Sequence, residues 1–153
     1  YICIGYYYTL LIMTTQNEKT TAALLHLSAF AKYLIPFAGI VVPLIIWQTK
    51  KHQSQYVDEN GKSVVNFHLS ILAYSIVIAI VVGIFFIGSI VNYIEIENAG
   101  GDVIPIDLIT VGIIGASVLG IWTIAEFVLV ILGTVRANEG TVYKYPLTIN
   151  FIK

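Results

Sequence analysis

Long runs of apolar residues dominate the sequence. Three of them are present, at about 24–48, 64–91 and 108–135. Each is longer than the roughly 20 helical residues that cross a hydrocarbon core of about 30 Å. None alternates apolar and polar residues as membrane strands do, and a helix satisfies its own backbone hydrogen bonds in lipid. The pattern predicts an all-α, polytopic helical membrane protein with three hydrophobic segments in contact with the lipid bilayer.

The composition supports this fold class. Hydrophobic residues make up 58% and charged residues 11% of the 153 residues, and the mean hydropathy is +0.85. Soluble domains carry about 25% charged residues, and a domain of this size cannot bury three such runs. The net charge of -1 gives no basic character that would indicate a nucleic-acid partner. The single cysteine, Cys3, excludes an internal disulfide and a cysteine-based metal cluster.

The first run contains residues that interrupt a helix. Pro36 and Pro43 each remove a backbone donor, and Gly39 lies between them. Two arrangements follow, and the sequence leaves both open. The run either crosses the membrane once or forms a Pro-broken hairpin of two short helices that enters and leaves on one side. A re-entrant hairpin requires a backbone that is buried in protein or faces water.

Lysine and arginine are distributed unequally among the connections. The connection 49–63 carries three of these cations, the tail after Val135 carries three, and the connection 92–107 carries none. Basic loops stay on the cytoplasmic side. We therefore expect a multi-pass protein of the plasma membrane with 49–63 and the tail cytoplasmic and 92–107 outside. The side of the N-terminus depends on the arrangement of the first run. The acidic residues of 92–107 are Glu95, Glu97, Asp102 and Asp107.

The beginning of the chain differs from the rest. Residues 1–12 are apolar and rich in tyrosine, and Met13 begins a conventional polar start. We expect 1–12 to be a start artefact or an expression remnant, followed by a single helical membrane domain at 13–153. The alternative is the end of a signal sequence or a short interfacial anchor. The lack of a basic region and of a small-residue cleavage site argues against a signal peptide.

Two charged residues fall inside the apolar runs, Lys32 in the first and Glu126 in the third. Charges within a membrane are costly and are candidates for function. The simpler interpretations are that Lys32 extends its ammonium group toward the interface and that Glu126 is a protonated carboxyl between helices. In the hairpin arrangement both residues lie at a similar depth, about 13 Å from the cytoplasmic side for Glu126, so a pair becomes possible. A single crossing would place them in opposite leaflets.

A polar residue recurs at every fourth position from the first connection into the second run. On one continuous helix these residues form a stripe along one face. Lipid would penalise such a face, so we expect it to contact other helices or a water-filled groove. Hydrogen-bonded helix packing is the simpler interpretation, and a conduit is the functional one. The stripe consists of Asp58, Lys62, Asn66, Ser70 and Tyr74.

The remaining motifs carry little chemistry. A small residue at every fourth position of the third run allows close helix approach, and we expect self-association or a membrane-protein partner there. No spacing assembles the three histidines into a metal site, and no phosphate-binding glycine loop or nucleophile elbow is present. The sequence therefore predicts no enzyme activity, catalytic residue, cofactor or metal site. The small residues are Gly112, Ala116 and Gly120, and the histidines are His26, His52 and His68.

Several stretches resemble one known family. They fall within 23–47, 57–67 and 137–149, and together they cover most of 22–152. On these stretches the chain resembles the small bacterial Tic20-like membrane protein family, which has no agreed activity. The resemblance implies a compact helical membrane domain, and its distant relatives in plastid protein import imply a role in protein translocation. The signature positions are His26, Pro36, Pro43, Asp58, Gly61, Lys62, Asn66, Tyr145 and Pro146.

Two features depart from that family's pattern: the connection 92–107 is longer, and Lys32 replaces a small residue. The sequence favours an accessory or structural subunit that acts with other membrane proteins. The alternative is a small oligomeric channel or transporter that uses Glu126 and Lys32, because discontinuous helices often line binding sites. A membrane enzyme is the least supported class, since no catalytic constellation is visible.

Overall fold

The computed structural model describes residues 15–101 and 104–153. The predictions for residues 1–12, Met13, Cys3 and Asp102 lie outside this part of the chain. The described residues form four α-helices and one 3-10 helix and contain no strand, which confirms the all-helical prediction. The elements are α1 (Gln16–Leu27), the 3-10 helix (Ser28–Tyr33), α2 (Ala38–Lys50), α3 (Gln55–Asn98) and α4 (Ile106–Glu139).

A capping box begins α1. The Thr15 hydroxyl accepts a hydrogen bond from the Glu18 backbone N–H at 3.3 Å, and the Glu18 carboxylate accepts one from the Thr15 N–H at 2.6 Å. This reciprocal pair satisfies two donors that the first helical turn leaves open, and such a cap contributes about 1 kcal/mol. The bond from the Thr15 backbone also holds the pKa of Glu18 below its ordinary value.

The first apolar run does not form a spanning helix. The α-helices that contain parts of it, α1 and α2, have 12 and 13 residues, or about 18 Å and 20 Å, less than the hydrocarbon thickness. The 3-10 helix and a turn at Pro36 join them, and Phe37 adopts left-handed backbone angles with φ 63°. Pro43 lies inside α2 and is buried. The three predicted hydrophobic segments are therefore not confirmed, because the first run folds into short helices.

A close approach holds this folded run together. A Cβ atom added to Gly39 in α2 would lie 2.9 Å from the Ala29 carbonyl oxygen and 2.9 Å from the Lys32 Cβ. Both neighbours belong to the 3-10 helix. Glycine at this position therefore allows α2 to pack directly on the 3-10 helix, which a larger residue would prevent.

In the described chain, α3 and α4 are the two helices long and apolar enough to cross a membrane. They contain 44 and 34 residues, or about 66 Å and 51 Å. They include the second and third apolar runs. Many of their apolar side chains are exposed, among them Ile84 and Ile121 at 66% and 70%. Exposed isoleucines over such a length suit lipid or a protein partner better than water.

The chain divides into two compact units. Unit 1 contains the described residues up to Ser70 and those from Val128 onward, and unit 2 contains the described residues of 71–127. The core of unit 1 is built from small and branched side chains that are completely buried. These include Ala22 and Leu25 of α1, Val57 and Val64 of α3, and Ala137 of α4. After α4 the tail, residues 141–153, runs without helix or strand and belongs to unit 1.

Candidate functional site

A buried histidine occupies the centre of unit 1. His26 has no exposed surface. Its Nδ1 lies 2.7 Å from the Tyr145 hydroxyl, and its Nε2 lies 3.0 Å from Asn60 Oδ1. The Asn60 amide nitrogen donates to the Tyr56 carbonyl at 3.0 Å, so the amide oxygen is the atom that faces the histidine. This order of donors makes His26 Nε2 a donor and Nδ1 an acceptor from the Tyr145 hydroxyl.

The surroundings keep His26 neutral. Burial lowers its pKa to about 4, and the hydrogen bond with Asn60 opposes part of this change. At neutral pH the imidazole is therefore uncharged and acts as a bridge between α1, α3 and the tail. A buried ring with both nitrogens bonded ties these three segments to one geometry.

Two glycines make room for this arrangement. A Cβ at Gly133 of α4 would lie 2.6 Å from the Tyr145 hydroxyl oxygen and 2.7 Å from His26 Nδ1. A Cβ at Gly61 of α3 would overlap the Trp47 ring. Gly61 is among the signature positions, and its role is to let Trp47 of α2 pack against α3. Gly133 was not singled out from the sequence, because nothing local distinguishes it from the other helix glycines.

A second polar group connects α2 with the beginning of α3. The Trp47 indole N–H donates to Asp58 Oδ1 at 2.8 Å, and Lys62 Nζ lies 2.7 Å from Asp58 Oδ2. Partial burial raises the pKa of Asp58, but the hydrogen bonds from Lys62 and Trp47 and the charges of Lys62 and Lys51 outweigh it and lower the pKa. Asp58 therefore stays ionised at neutral pH and orients both partners.

Three polar side chains of α3, two of them from the stripe, bind the backbone of the tail. The Ser63 hydroxyl donates to the Tyr143 carbonyl. Asn66 exchanges two hydrogen bonds with Ile152, and the Ile149 N–H donates to the Ser70 hydroxyl at 2.9 Å. An extended segment outside a sheet needs partners for its backbone groups, and these side chains supply them. Asn66 and Ser70 of the stripe therefore contact the tail, whereas Asp58 of the stripe bonds Trp47 of α2.

Tyr145 anchors the tail from the other side. It is 5% exposed and stacks on Phe67 with ring centroids 3.9 Å apart and planes at 8°. The Tyr143 ring meets the Tyr145 ring edge-on, with centroids 4.9 Å apart. Pro146 and Leu147 form the turn that follows, and Leu147 has φ 55°. The Tyr-Pro signature therefore marks the point where the tail inserts a ring into unit 1 and turns.

The two charges that were predicted to lie within the membrane belong to different units. Lys32, in the 3-10 helix of unit 1, is partly exposed, and its Nζ lies 5.1 Å from the centre of the Tyr33 ring. Glu126 belongs to unit 2 and is 6% exposed. Tyr74, the last residue of the stripe, also belongs to unit 2, where its ring meets Trp122 edge-on at 6.3 Å. The Lys32–Glu126 pair stays a prediction.

The small residues of α4 face open space in this structure. Gly112, Ala116 and Gly120 are exposed, and a Cβ at either glycine meets no described atom within 4 Å. Their role in self-association stays a prediction. Among residues 15–101 and 104–153, no group of three or more His, Cys, Asp and Glu side chains could hold a metal ion. His52 is exposed, whereas His26 and His68 are buried.

Charge separates between the units. All eight lysines and arginines belong to unit 1, which holds four acids, giving 8 − 4 = +4. The described residues of unit 2 hold four acids and no cation, giving 0 − 4 = −4. The two lysine-bearing segments, 49–63 and the tail, both belong to unit 1. These two segments are also linked through α4, because the Tyr56 hydroxyl of 49–63 donates to the Ala137 carbonyl near the beginning of the tail. Which side of a membrane they face stays a prediction.

The sequence interpretation missed some residues of this site. Asn60, Tyr56, Phe67 and Trp47 were not selected, although Asn60, Phe67 and Trp47 fall within stretches that carried the family resemblance. Asn60 lies in the polar connection 49–63, where nothing local distinguishes it from its neighbours, and its partner His26 lies 34 residues away. A contact over that separation cannot be read from local spacing.

A comparison with known families identifies the relationship of the chain. Residues 17–152 match the family model MamF/MmsF, described as the magnetosome magnetite crystal formation protein family. No curated protein and no solved structure matches the chain. The resemblance to the Tic20-like family was wrong, since the match overturns it. The quoted stretches include residues such as His26, Gly61 and Tyr145, whose contacts build unit 1, so they report on packing and carry no information about protein import.

Proposed function

This chain belongs to the magnetosome magnetite crystal formation protein family, and from this premise we propose that it is a non-catalytic accessory protein of a membrane. It holds other membrane proteins, or further copies of itself, in a fixed arrangement. The family membership and the two long apolar helices agree with a membrane protein. Protein translocation has no support once the Tic20-like resemblance is removed.

The observation that carries this proposal is the bonding of the polar residues in unit 1. His26 bonds Asn60 and Tyr145, and Asn66 bonds the backbone of Ile152. Each of these groups is used to join one segment of the chain to another. Paired buried polar groups rigidify a fold and specify one packing, which is the property that a scaffold requires.

Unit 2 supplies the surface on which partners would bind. Its described helical parts expose large apolar side chains, with Ile84 at 66%, Leu119 at 61% and Ile113 at 62%. The exposed glycines Gly112 and Gly120 lie on α4, as do Ile113 and Leu119. In a bilayer, small residues let a second helix approach closely, and van der Waals packing then drives association.

Photo-crosslinking in native membranes tests this role. A photoreactive residue at Leu119 or Ile84 reaches the exposed surface, whereas the same residue at the buried Ser70 is the matched control. We expect discrete crosslinks to one or a few membrane proteins, or to a second copy, from the exposed positions only. Crosslinks to lipid alone from both exposed positions would contradict an accessory role.

One observation favours a second function. Glu126 is 6% exposed and is the one charged residue in the third apolar run, 108–135, and buried carboxyls in membrane helices often belong to ion or proton pathways. A small oligomeric channel or transporter would use Glu126 together with Lys32. Liposome flux measurements separate the two functions. If the protein supports a flux, and Glu126→Gln abolishes it while Glu95→Gln leaves it unchanged, the protein is a channel or transporter and the accessory proposal is wrong.

The description of the family adds a mineral context. Within it we propose that 92–107 attracts iron cations, because carboxylate oxygens suit hard metal ions. Glu95 and Glu97 are exposed, and the Asn92 amide lies 3.4 Å from an Asp107 carboxylate oxygen. The described residues hold no grouped metal site, so the attraction would be diffuse. If the double variant Glu95→Gln, Glu97→Gln retains as much iron as the parent protein, the proposed attraction of iron is wrong.

A further inference from the structure

A cavity of about 510 Å³ lies in unit 1 between the beginning of α3 and the tail. It is partly open to the surroundings, and polar and apolar surface contribute about equally to its walls. One wall is a face of α3, and the other is the extended tail that the α3 stripe holds in place. The lining residues are Glu59, Lys62, Ser63, Asn66, Val142, Lys144, Tyr145, Thr148, Asn150 and Ile152.

Some of the lining donors already have partners inside the protein. Ser63 and Asn66 bond the tail backbone, and the Thr148 hydroxyl donates to the Tyr145 carbonyl at 3.1 Å. Within the described chain, no hydrogen bond or ion pair occupies the side chains of Lys144 and Asn150. Lys62 binds Asp58 through one contact at 2.7 Å, but an ammonium group has three donors. The cavity therefore offers donors from three side chains.

The charge of the cavity favours an anion. Two lysines line it against one carboxylate, Glu59. Glu59 is itself engaged, because the Gln55 amide donates to it at 2.7 Å. The rest of unit 1 is also basic, with four more cations than acids. Basic pockets at the ends of membrane helices commonly hold anionic head groups.

We propose that this cavity binds a phosphate group, held by Lys144, Lys62 and the Asn150 amide. A cation donating to phosphate makes the stronger, charge-assisted kind of hydrogen bond. The phosphate comes either from the head group of an anionic phospholipid or from a soluble phosphate. Lys62 lies two residues before the second apolar run, 64–91, on the same helix α3, so it stands at the end of a segment that suits lipid. The proposal is independent of the accessory function.

Native mass spectrometry of the detergent-purified full chain tests the proposal. The probes are phosphatidylglycerol, phosphatidylcholine with the same acyl chains, and inorganic phosphate. We expect retention of phosphatidylglycerol in preference to phosphatidylcholine, whose choline cation offsets the phosphate charge. Lys144→Gln lowers this retention about fivefold, as the loss of one lysine near an anionic surface predicts. Asn150→Ala lowers it by a smaller factor without any change of charge.

Lys153→Gln is the matched control. Lys153 is exposed, lies in the same tail and carries the same charge, but it does not line the cavity. If Lys144→Gln and Lys153→Gln reduce retention equally, diffuse surface charge explains binding and the proposal is wrong. Equal retention of both lipids by the parent protein overturns it as well. If inorganic phosphate displaces the lipid, the ligand is phosphate itself. If the lipid resists displacement, the ligand is the phospholipid head group.

Discussion

Asn66 and Ile152 exchange two hydrogen bonds across 86 residues of sequence. The Asn66 amide nitrogen donates to the Ile152 carbonyl at 2.9 Å, and the Ile152 N–H donates to Asn66 Oδ1 at 2.8 Å. One side chain thereby replaces the partner strand that an extended segment would have in a sheet. The end of the chain is therefore fixed to α3 by a group that the helical spacing of the sequence had already singled out.

Asn66→Ala should release the tail. It removes both bonds and leaves two backbone groups of Ile152 without partners, which costs about 2–4 kcal/mol in total. Trypsin can then cleave after Lys144, a bond protected in the parent protein by the burial of Tyr145. We expect faster cleavage there, measured by mass spectrometry of timed digests. Asn138→Ala, at an exposed position near the end of α4, is the control and should leave the rate unchanged.

Acid should destabilise unit 1 through His26. Its pKa is about 4 in the folded protein and 6.5 when unperturbed, so the unfolded state binds more protons between these values. Stability is complete above about pH 6.5 and falls as the pH decreases toward 4. The loss amounts to about 3 kcal/mol at most.

Thermal unfolding in detergent between pH 7.5 and 4 measures this effect. His26→Gln removes the titrating group, so the variant should be less stable at pH 7.5 but lose less stability on acidification than the parent. His52→Gln, at an exposed histidine, should retain the full pH dependence. An identical pH dependence in the parent and in His26→Gln would show that His26 is not the group responsible.

Two glycines of α3 should respond oppositely to alanine. Gly61→Ala places a methyl group against the Trp47 ring, and such overpacking costs about 1–3 kcal/mol. Gly88→Ala adds its methyl group where no described atom lies within 4 Å. Alanine is better than glycine inside a helix by about 0.5–1 kcal/mol, so this variant should be slightly more stable. Unfolding temperatures of the two variants in the same detergent test the opposite signs.

The success and failure of the sequence interpretation have a physical pattern. The second and third apolar runs became α3 and α4, because long unbroken apolar stretches have few alternatives to a helix. The first run contained Pro36 and Pro43, which indicated a break. Their presence did not reveal that a 3-10 helix and a left-handed residue, Phe37, would make the turn. Helix-breaking residues such as proline show where a helix is interrupted, but they do not determine the backbone geometry on either side of the interruption.

The site was predicted in part for a similar reason. A spacing of four placed Asn66 and Ser70 on one face of a helix, and the structure has them on the face that binds the tail. Their partners are backbone groups of an extended segment, which carries no periodic pattern. His26 bonds Asn60, which is 34 positions away, and Tyr145, which is 119 positions away. Local spacing cannot encode such pairs.

A charge exchange tests the predicted pairing of Lys32 with Glu126. If the two side chains form an ion pair, Lys32→Glu combined with Glu126→Lys preserves the attraction, and the double variant should fold. Each single change alone would place two like charges together and should reduce the folded yield, measured by size-exclusion chromatography in detergent. The single neutral variants Lys32→Gln and Glu126→Gln are the controls. A double variant that fails to fold while both neutral variants fold normally would show that the residues act separately.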